Sequence, residues 1–266
     1  MDVGCWTFFP LAPVLRGEGR DEGDPSTQIR LERRWRRLDN EQLQYRQKDP
    51  ISREDALRVL RSGDSAAVAD ALFRLALYCP DAKWVEELCL KYVDSPDDEL
   101  RCMSALSLGT LARIHGAAFD GRRTFNRLLA LVEDRTGDRS REVLGNAEDA
   151  LSDLQIFRFD EDSYSRERML PLLRSNDVWN QYCAIFHVAR HDSEAAFAWV
   201  WCDRFLKETN YALRAAALWA TADIWERLDR CFQIDAAAQV LRLFADSNQW
   251  VREVAHRVEK IIAPRC

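Results

Sequence analysis

The chain has 266 residues, of which 47% are hydrophobic, enough for one large core or two smaller ones. Only ten Gly and eight Pro are present, which disfavours a fold built from strands and tight turns. The net charge of −6 is uneven, because residues 64–162 carry 20 acidic and 12 basic side chains. This excess of acid disfavours general binding to a phosphate backbone and favours a basic partner.

The N-terminal part differs from the rest in composition. Residues 1–26 combine Gly and Pro with charged side chains, which predicts a disordered segment. Residues 27–49 predict one basic helix, ended by Asp49-Pro50. Its arginines could bind phosphate or could form a solvated face, and the second interpretation is favoured. We expect residues 50–266 to form the folded body.

From Ser52 onward, apolar residues recur at helical spacing in paired segments. The first predicted helix is capped by Ser52 and stopped by Gly63. The other predicted helices cover residues 66–78, 84–93, 100–114, 123–133, 141–157, 165–173, 179–190, 193–207, 211–228, 236–244 and 250–263.

One pattern repeats along these helices. An apolar residue followed by Arg, with a small residue about one turn later, occurs at Arg101, Arg214 and Arg252. Equivalent points along the chain lie 32 to 43 residues apart, the period of two-helix repeats. Such repeats stack into a continuous solenoid in which each repeat contacts only its neighbours, so we expect two separable halves with a weak joint near residues 160–163.

The repeat resembles the second helix of the HEAT family, and more specifically a bacterial-type HEAT repeat protein. The matching residues are Asp94, Pro96, Leu100, Arg101, Ala105 and Gly109. This resemblance implies a right-handed α-solenoid of about six HEAT-like helix pairs over residues 52–262. It also implies structural roles for Asp94, Pro96 and the recurring arginines. Each of these arginines would pair with an Asp one repeat away.

Six of the nine Trp lie between residues 179 and 250. A helix starting at Tyr211 is apolar all round, and helical geometry turns Trp219 away from the face expected to reach the core. One interpretation is that neighbouring helices with Trp199 and Trp201 cover it. The other is an exposed aromatic surface that binds a partner. The partner-binding residues predicted on the second interpretation are Trp179, Trp199, Trp219, Asp223 and Trp225.

Other clusters predict no catalytic or metal site. Cys183 and His191 are too far apart along one helix to bind one ion together with His187. The carboxylates of Asp149 and Asp153 are like charges one turn apart, which is mildly unfavourable on an isolated helix. A solvated or arginine-paired face is favoured over acid–base catalysis. We expect no cofactor.

Composition also bears on location. The eight Cys include no C-x-x-C pair, which favours reduced, buried thiols and a cytoplasmic protein. No apolar run is long enough to span a membrane.

Two hypotheses follow. The first is a non-catalytic, monomeric protein-binding scaffold, such as a regulatory or toxin-immunity adaptor, with a basic protein partner. The alternative is an enzyme resembling the HEAT-like alkylpurine DNA glycosylases. Residues of the types that such an enzyme uses are Trp179, Trp199, Asp203, Arg214, Trp219 and Asp223.

Overall fold

A computed structural model describes residues 48–133, 141–159 and 164–263. The chain divides into two units after residue 48, and the helices below belong to the second unit. The predicted disordered segment, the predicted basic helix and the predicted joint near residues 160–163 lie outside the described residues.

The described residues form twelve α-helices and no strand. Short 3-10 turns follow three of the helices. The α-helices are α1 (Arg53–Val59), α2 (Ser65–Tyr78), α3 (Ala82–Tyr92), α4 (Asp98–His115), α5 (Arg122–Glu133), α6 (Arg141–Phe157), α7 (Arg166–Leu173), α8 (Val178–His191), α9 (Ala195–Leu206), α10 (Tyr211–Ile224), α11 (Arg230–Arg242) and α12 (Gln249–Ile262).

The helices pack in two layers. The even-numbered helices α2 to α12 stack side by side as an inner layer, each against the next. The odd-numbered helices form an outer layer, each packed against the inner helix that follows it. The prediction of an all-α solenoid of six helix pairs is therefore confirmed. No helix in the described part of the chain is both long and apolar enough to cross a membrane.

Inner helices begin with a common device. An Asp or Asn at the N-cap has extended backbone, and its side chain accepts a hydrogen bond from a backbone N–H of the first turn, which would otherwise lack a partner. The inner helices capped in this way begin after Asp64, Asp97, Asp177, Asn210 and Asn248. The sequence and the local structure thus agree on where each of these inner helices starts.

The last outer helix starts earlier than predicted. Periodicity predicted a helix from residue 236, whereas α11 begins at Arg230. Only Ala236 and Val240 of α11 are buried, so its first turns carry no apolar stripe that faces the core. The position of the helix depends on packing that the hydrophobic pattern does not record.

The stack also closes on itself, which the sequence did not predict. Helix α12 contacts α5, although six helices separate them in the chain. Glu148 of α6 binds Trp250 and Arg257 of α12. The expectation that each repeat contacts only its neighbours is therefore wrong, because the inner layer curves tightly enough to bring its last helix back to α6.

Candidate functional site

The predicted aromatic surface is mostly interior. Trp179, Trp199 and Trp225 expose only 2%, 3% and 2% of their surfaces. Trp219 is half-buried and packs against the same core, and Asp223 is exposed. The expectation of an aromatic partner-binding surface is corrected for the three buried tryptophans, because a side chain enclosed in its own core has no surface left for a partner.

These aromatic side chains are buried because other helices cover α10 on several sides. Helix α10 packs against α8, α9 and α12. Trp199 and Trp201 on α9 are both buried. Trp179 packs against Phe125 of α5, with ring centroids 5.0 Å apart. The apolar character all round α10 therefore reflects burial by neighbouring helices, which was the other interpretation of the sequence.

Asp223 keeps its carboxylate at the surface near the end of α10. The surrounding protein desolvates this group and raises its pKa, while the guanidinium groups of Arg190 and Arg227 act in the opposite direction. Of the five predicted partner-binding residues, only Trp219 and Asp223 present any surface.

A second group of polar residues lies on the inner layer. Glu148, Asp149 and Asp153 occupy about one and a half turns of α6, and we name them the inner acidic cluster. Asp149 and Asp153 were expected from the sequence to form a solvated or arginine-paired face, and Glu148 lies beside them on the same helix. The structure adds the helices that face them, α4 on one side and α12 on the other.

Gly109 sets the spacing between α4 and α6. A Cβ atom at this position would lie 2.9 Å from Ala150 Cα and 2.7 Å from Asp153 Oδ2, closer than real Cβ contacts. The absent side chain lets α6 approach α4 closely, and this approach brings the carboxylate of Asp153 against the backbone of α4.

Asp153 is paired but strongly desolvated. Its Oδ2 lies 3.2 Å from Nε of Arg113 on α4. Burial raises the pKa of Asp153 to about 7, Asp149 adds to the rise, and Arg113 offsets part of it. Near neutral pH this carboxyl therefore carries a proton for part of the time.

Asp149 points to solvent between two arginines. Desolvation and the charge of Glu148 raise its pKa, while Arg113 and Arg257 lower it. Charged groups on α4, on α12 and on its own helix thus all act on Asp149. The residue therefore lies in the middle of the inner face.

Both carboxylate oxygens of Glu148 accept hydrogen bonds from side chains of α12. The indole N–H of Trp250 donates to Oε1 at 2.8 Å. Arg257 donates to Oε2 at 2.7 Å and to Oε1 at 2.9 Å, a bidentate arrangement. This carboxylate therefore serves to hold α12 against α6.

Chemically, the inner acidic cluster can hold a cationic group. Three carboxylates face the two guanidinium groups of Arg113 and Arg257, and Asp149 is the exposed member. Sequence analysis found the carboxylates but missed both arginines. Their pairing depends on tertiary packing, and no spacing in the chain signals it.

In the histidine pair on α8, His187 is buried and His191 is half-buried. The rings of His187 and His191 lie 4.4 Å apart between centroids. Desolvation, followed by the neighbouring His191, lowers the pKa of His187 to about 4. Cys183 is buried, and burial raises the pKa of its thiol. Within the described residues, no three His, Cys, Asp or Glu side chains are grouped so that they could hold a metal ion.

The residues considered for a DNA glycosylase do not share one surface. Asp203 pairs with Nζ of Lys207 at 2.6 Å. Arg214 forms a bidentate pair with Asp246, at 2.7 and 2.8 Å. Trp179 and Trp199 are buried. Structural contacts therefore account for these four residues.

The recurring arginines share a local contact. Arg101, Arg214 and Arg252 each donate to the carbonyl oxygen six residues earlier, at 2.9, 2.8 and 2.5 Å. Among the three, a pair with an Asp one repeat later occurs at Arg214, with Asp246. Arg101 instead pairs with Asp98 of its own turn. The shared role is to close the turns before α4, α10 and α12.

The turn before α4 carries the two other repeat residues. Asp94 pairs with Arg127 of α5, which joins two successive outer positions of the stack. Pro96 is exposed in the same turn. Both residues lie outside the inner acidic cluster.

Comparisons with known proteins give no family. No protein-family model matches the chain, and no curated protein matches it. A crystal structure of an engineered protein from the Northeast Structural Genomics Consortium is 18% identical, with a TM-score of 0.35, covering 79% of this chain and 98% of that one. A designed armadillo repeat protein is 17% identical, with a TM-score of 0.32, covering 78% of this chain and 98% of that one. At such TM-scores neither likeness carries an argument.

Proposed function

We propose that the protein is a non-catalytic helical repeat scaffold that binds a basic segment of another protein on the inner face of α4 and α6. The observation that carries this proposal is the position of Asp149 and Asp153. The two carboxylates lie one turn apart, and their surroundings raise both pKa values. Like charges one turn apart, one exposed and one largely buried, are unfavourable for the free protein, and an incoming cation would relieve their repulsion.

The inner face also suits protein better than nucleic acid. A phosphate backbone approaching Asp149 would meet three carboxylates. The two nearby arginines, Arg113 and Arg257, already pair with Asp153 and Glu148. A lysine or arginine of a partner would gain at least one charge-assisted hydrogen bond there. We therefore favour a basic protein segment over DNA, and the glycosylase alternative has no observation in its favour.

The finer identity belongs to the same proposal. The pattern that includes Asp94, Pro96 and Gly109 supports a HEAT-type repeat of the bacterial kind. Cys89, Cys183 and Cys202 are free and buried, which supports a reducing, cytoplasmic setting. A regulatory or toxin-immunity adaptor is the role that best suits an acidic inner face.

The test uses a fluorescent Lys/Arg-rich peptide and a fluorescent DNA duplex as probes in anisotropy titrations. We expect the intact chain to bind the peptide more tightly than the duplex. The double variant Asp149→Asn/Asp153→Asn should bind the peptide about tenfold more weakly, because one or two charge-assisted hydrogen bonds of about 1.5–3 kcal/mol are lost or weakened.

A matched control removes two other acids. Glu54 on α1 and Glu167 on α7 are exposed on the outer layer. The variant Glu54→Gln/Glu167→Gln has the same net charge as the test variant, and its peptide affinity should stay within about twofold of the unmodified chain. Equal losses in both variants would mean attraction by net charge alone, and tighter binding of the duplex would contradict the proposal.

A further inference from the structure

Helix α11 carries an apolar stripe on its outward face. The stripe consists of Cys231, Ile234, Ala238 and Leu241, all exposed. Ile234 and Leu241 expose 62% and 54% of their surfaces. The spacing of three, four and three residues is that of the a and d positions of a coiled coil, the pattern of a helix that packs against another helix.

Within the described part of the chain, the stripe lies outside the core. At 100° per residue the four side chains fall within a sector of about 80° on one side of the helix. Ala236 and Val240, the buried residues of α11, lie on the opposite side. The core formed by the described residues therefore does not use the stripe, and exposure of the stripe lowers the solubility of the isolated protein.

Another strongly exposed apolar side chain lies on the neighbouring outer helix. Val200 of α9 exposes 63% of its surface, and α9 packs against α11. Among the described residues six large hydrophobic side chains are exposed, and Val200, Ile234 and Leu241 are the three most exposed of them. The exposure is thus concentrated on the last two outer helices.

Charges beside the stripe are self-complementary in one orientation. Asp235 and Arg242 lie on the same flank of α11, and both are exposed. A second α11 running antiparallel, with the twofold axis at Ala238, would bring Asp235 of each copy beside Arg242 of the other. One guanidinium nitrogen of Arg242 donates to the Leu206 carbonyl at 3.2 Å, and the other nitrogens remain for the ion pair.

We propose that α11 pairs with α11 of a second copy, antiparallel about Ala238, so that the protein forms a twofold-symmetric dimer instead of the expected monomer. The small side chain at the axis permits close approach, with Ile234 of one copy against Leu241 of the other. One helix pair buries less than the roughly 800 Å² per partner of a standard interface, so we expect a weak dimer with a dissociation constant of about micromolar order. The inference is independent of the proposed function, because the inner acidic cluster lies in the other layer.

Crosslinking tests the axis directly. The variant Ala238→Cys places a thiol on the twofold axis, and mild oxidation should convert it to a disulfide-linked dimer. The unmodified chain should stay uncrosslinked through Cys231, because the two copies of that residue lie about 21 Å apart along the antiparallel pair at 1.5 Å per residue. The control Glu167→Cys places a thiol on α7, an outer helix away from the stripe.

Sedimentation equilibrium gives the second readout. The unmodified chain should shift from one to two copies as its concentration crosses the micromolar range, and Leu241→Lys should remain a single copy with an unchanged melting temperature. Crosslinking of Ala238→Cys no greater than that of Glu167→Cys, or a single copy at every concentration, would overturn the proposal. Crosslinking through Cys231 in the unmodified chain would overturn the antiparallel arrangement.

Discussion

Arg257 on α12 donates two hydrogen bonds to the carboxylate of Glu148 on α6, across 109 positions of the chain. In an open solenoid such residues never meet, because each repeat contacts only the next. Here the pair joins the last inner helix to one in the middle of the stack. The two halves of the repeat array are therefore coupled by a contact that nearest-neighbour packing does not supply.

The first prediction concerns the strength of this contact. A double-mutant cycle with Glu148→Ala and Arg257→Ala should give a coupling energy of about 1 kcal/mol in chemical denaturation, since the pair is bidentate but Arg257 is partly solvated. Hydrogen exchange in α12 should accelerate in each single variant, because the helix loses its tie to α6.

A solvated pair provides the comparison for that cycle. Glu87 and Arg123 lie 3.9 Å apart, with 49% and 61% of their side chains exposed. Their cycle should give no more than about 0.5 kcal/mol and no change in the exchange of α12. A coupling between Glu148 and Arg257 as small as this would mean that the contact contributes nothing to closing the stack.

The second prediction compares two glycines in facing inner helices. Gly109→Ala should destabilise the protein by about 1–2 kcal/mol, because the added methyl meets Ala150 and Asp153 and overpacking outweighs the gain in helix propensity. Gly145→Ala should stabilise it by about 0.5–1 kcal/mol, since a Cβ there meets nothing within 4 Å. Urea denaturation of both variants decides the matter, and equal signs for the two changes would contradict the packing of α4 on α6.

The repeat architecture could be predicted because the sequence signals that specify it are local. Each inner helix needs a cap, and Asp97, Asn210 and Asn248 supply it at the start of an apolar helical stripe. Both signals lie within a few residues of the structure they specify. Helix number and order follow from such signals alone.

The candidate site could be predicted only in part. The like charges of Asp149 and Asp153 are visible in the sequence, but Arg113 reaches them through the packing of α4 on α6, and Arg257 through the curvature of the stack. Trp219 and Trp225 show a second limit of prediction from the sequence. A helix that is apolar all round must be covered, and the pattern does not say whether its own chain or a partner covers it.

The third prediction concerns the buried pair between successive repeats. Arg214 and Asp246 expose 10% and 7% of their side chains. Arg214→Ala should cost about 3–5 kcal/mol, because it leaves the Asp246 carboxylate buried without its partner. Lys207→Ala breaks a pair with Asp203 whose side chains are 47% and 28% exposed, and it should cost less than about 1 kcal/mol. Thermal melts that fail to separate the two variants would argue against a structural role for the Arg214 pair.

The last prediction is a pH dependence set by Asp153. Its pKa is about 7 in the folded protein against 3.8 in the reference state, so between these values the unfolded chain has released a proton that the folded chain keeps. Fewer protons are then bound in the unfolded state, and the contribution to stability falls as pH rises from about 4 to 7. Between pH 5 and pH 8 this loss amounts to about 2–3 kcal/mol. Asp153→Asn removes the titration, so relative to the unmodified protein it should gain that amount between pH 5 and pH 8 in urea denaturation. Glu167→Gln, on an exposed outer position, should track the unmodified protein across the range, and an Asp153→Asn curve parallel to both would show that this carboxyl titrates normally.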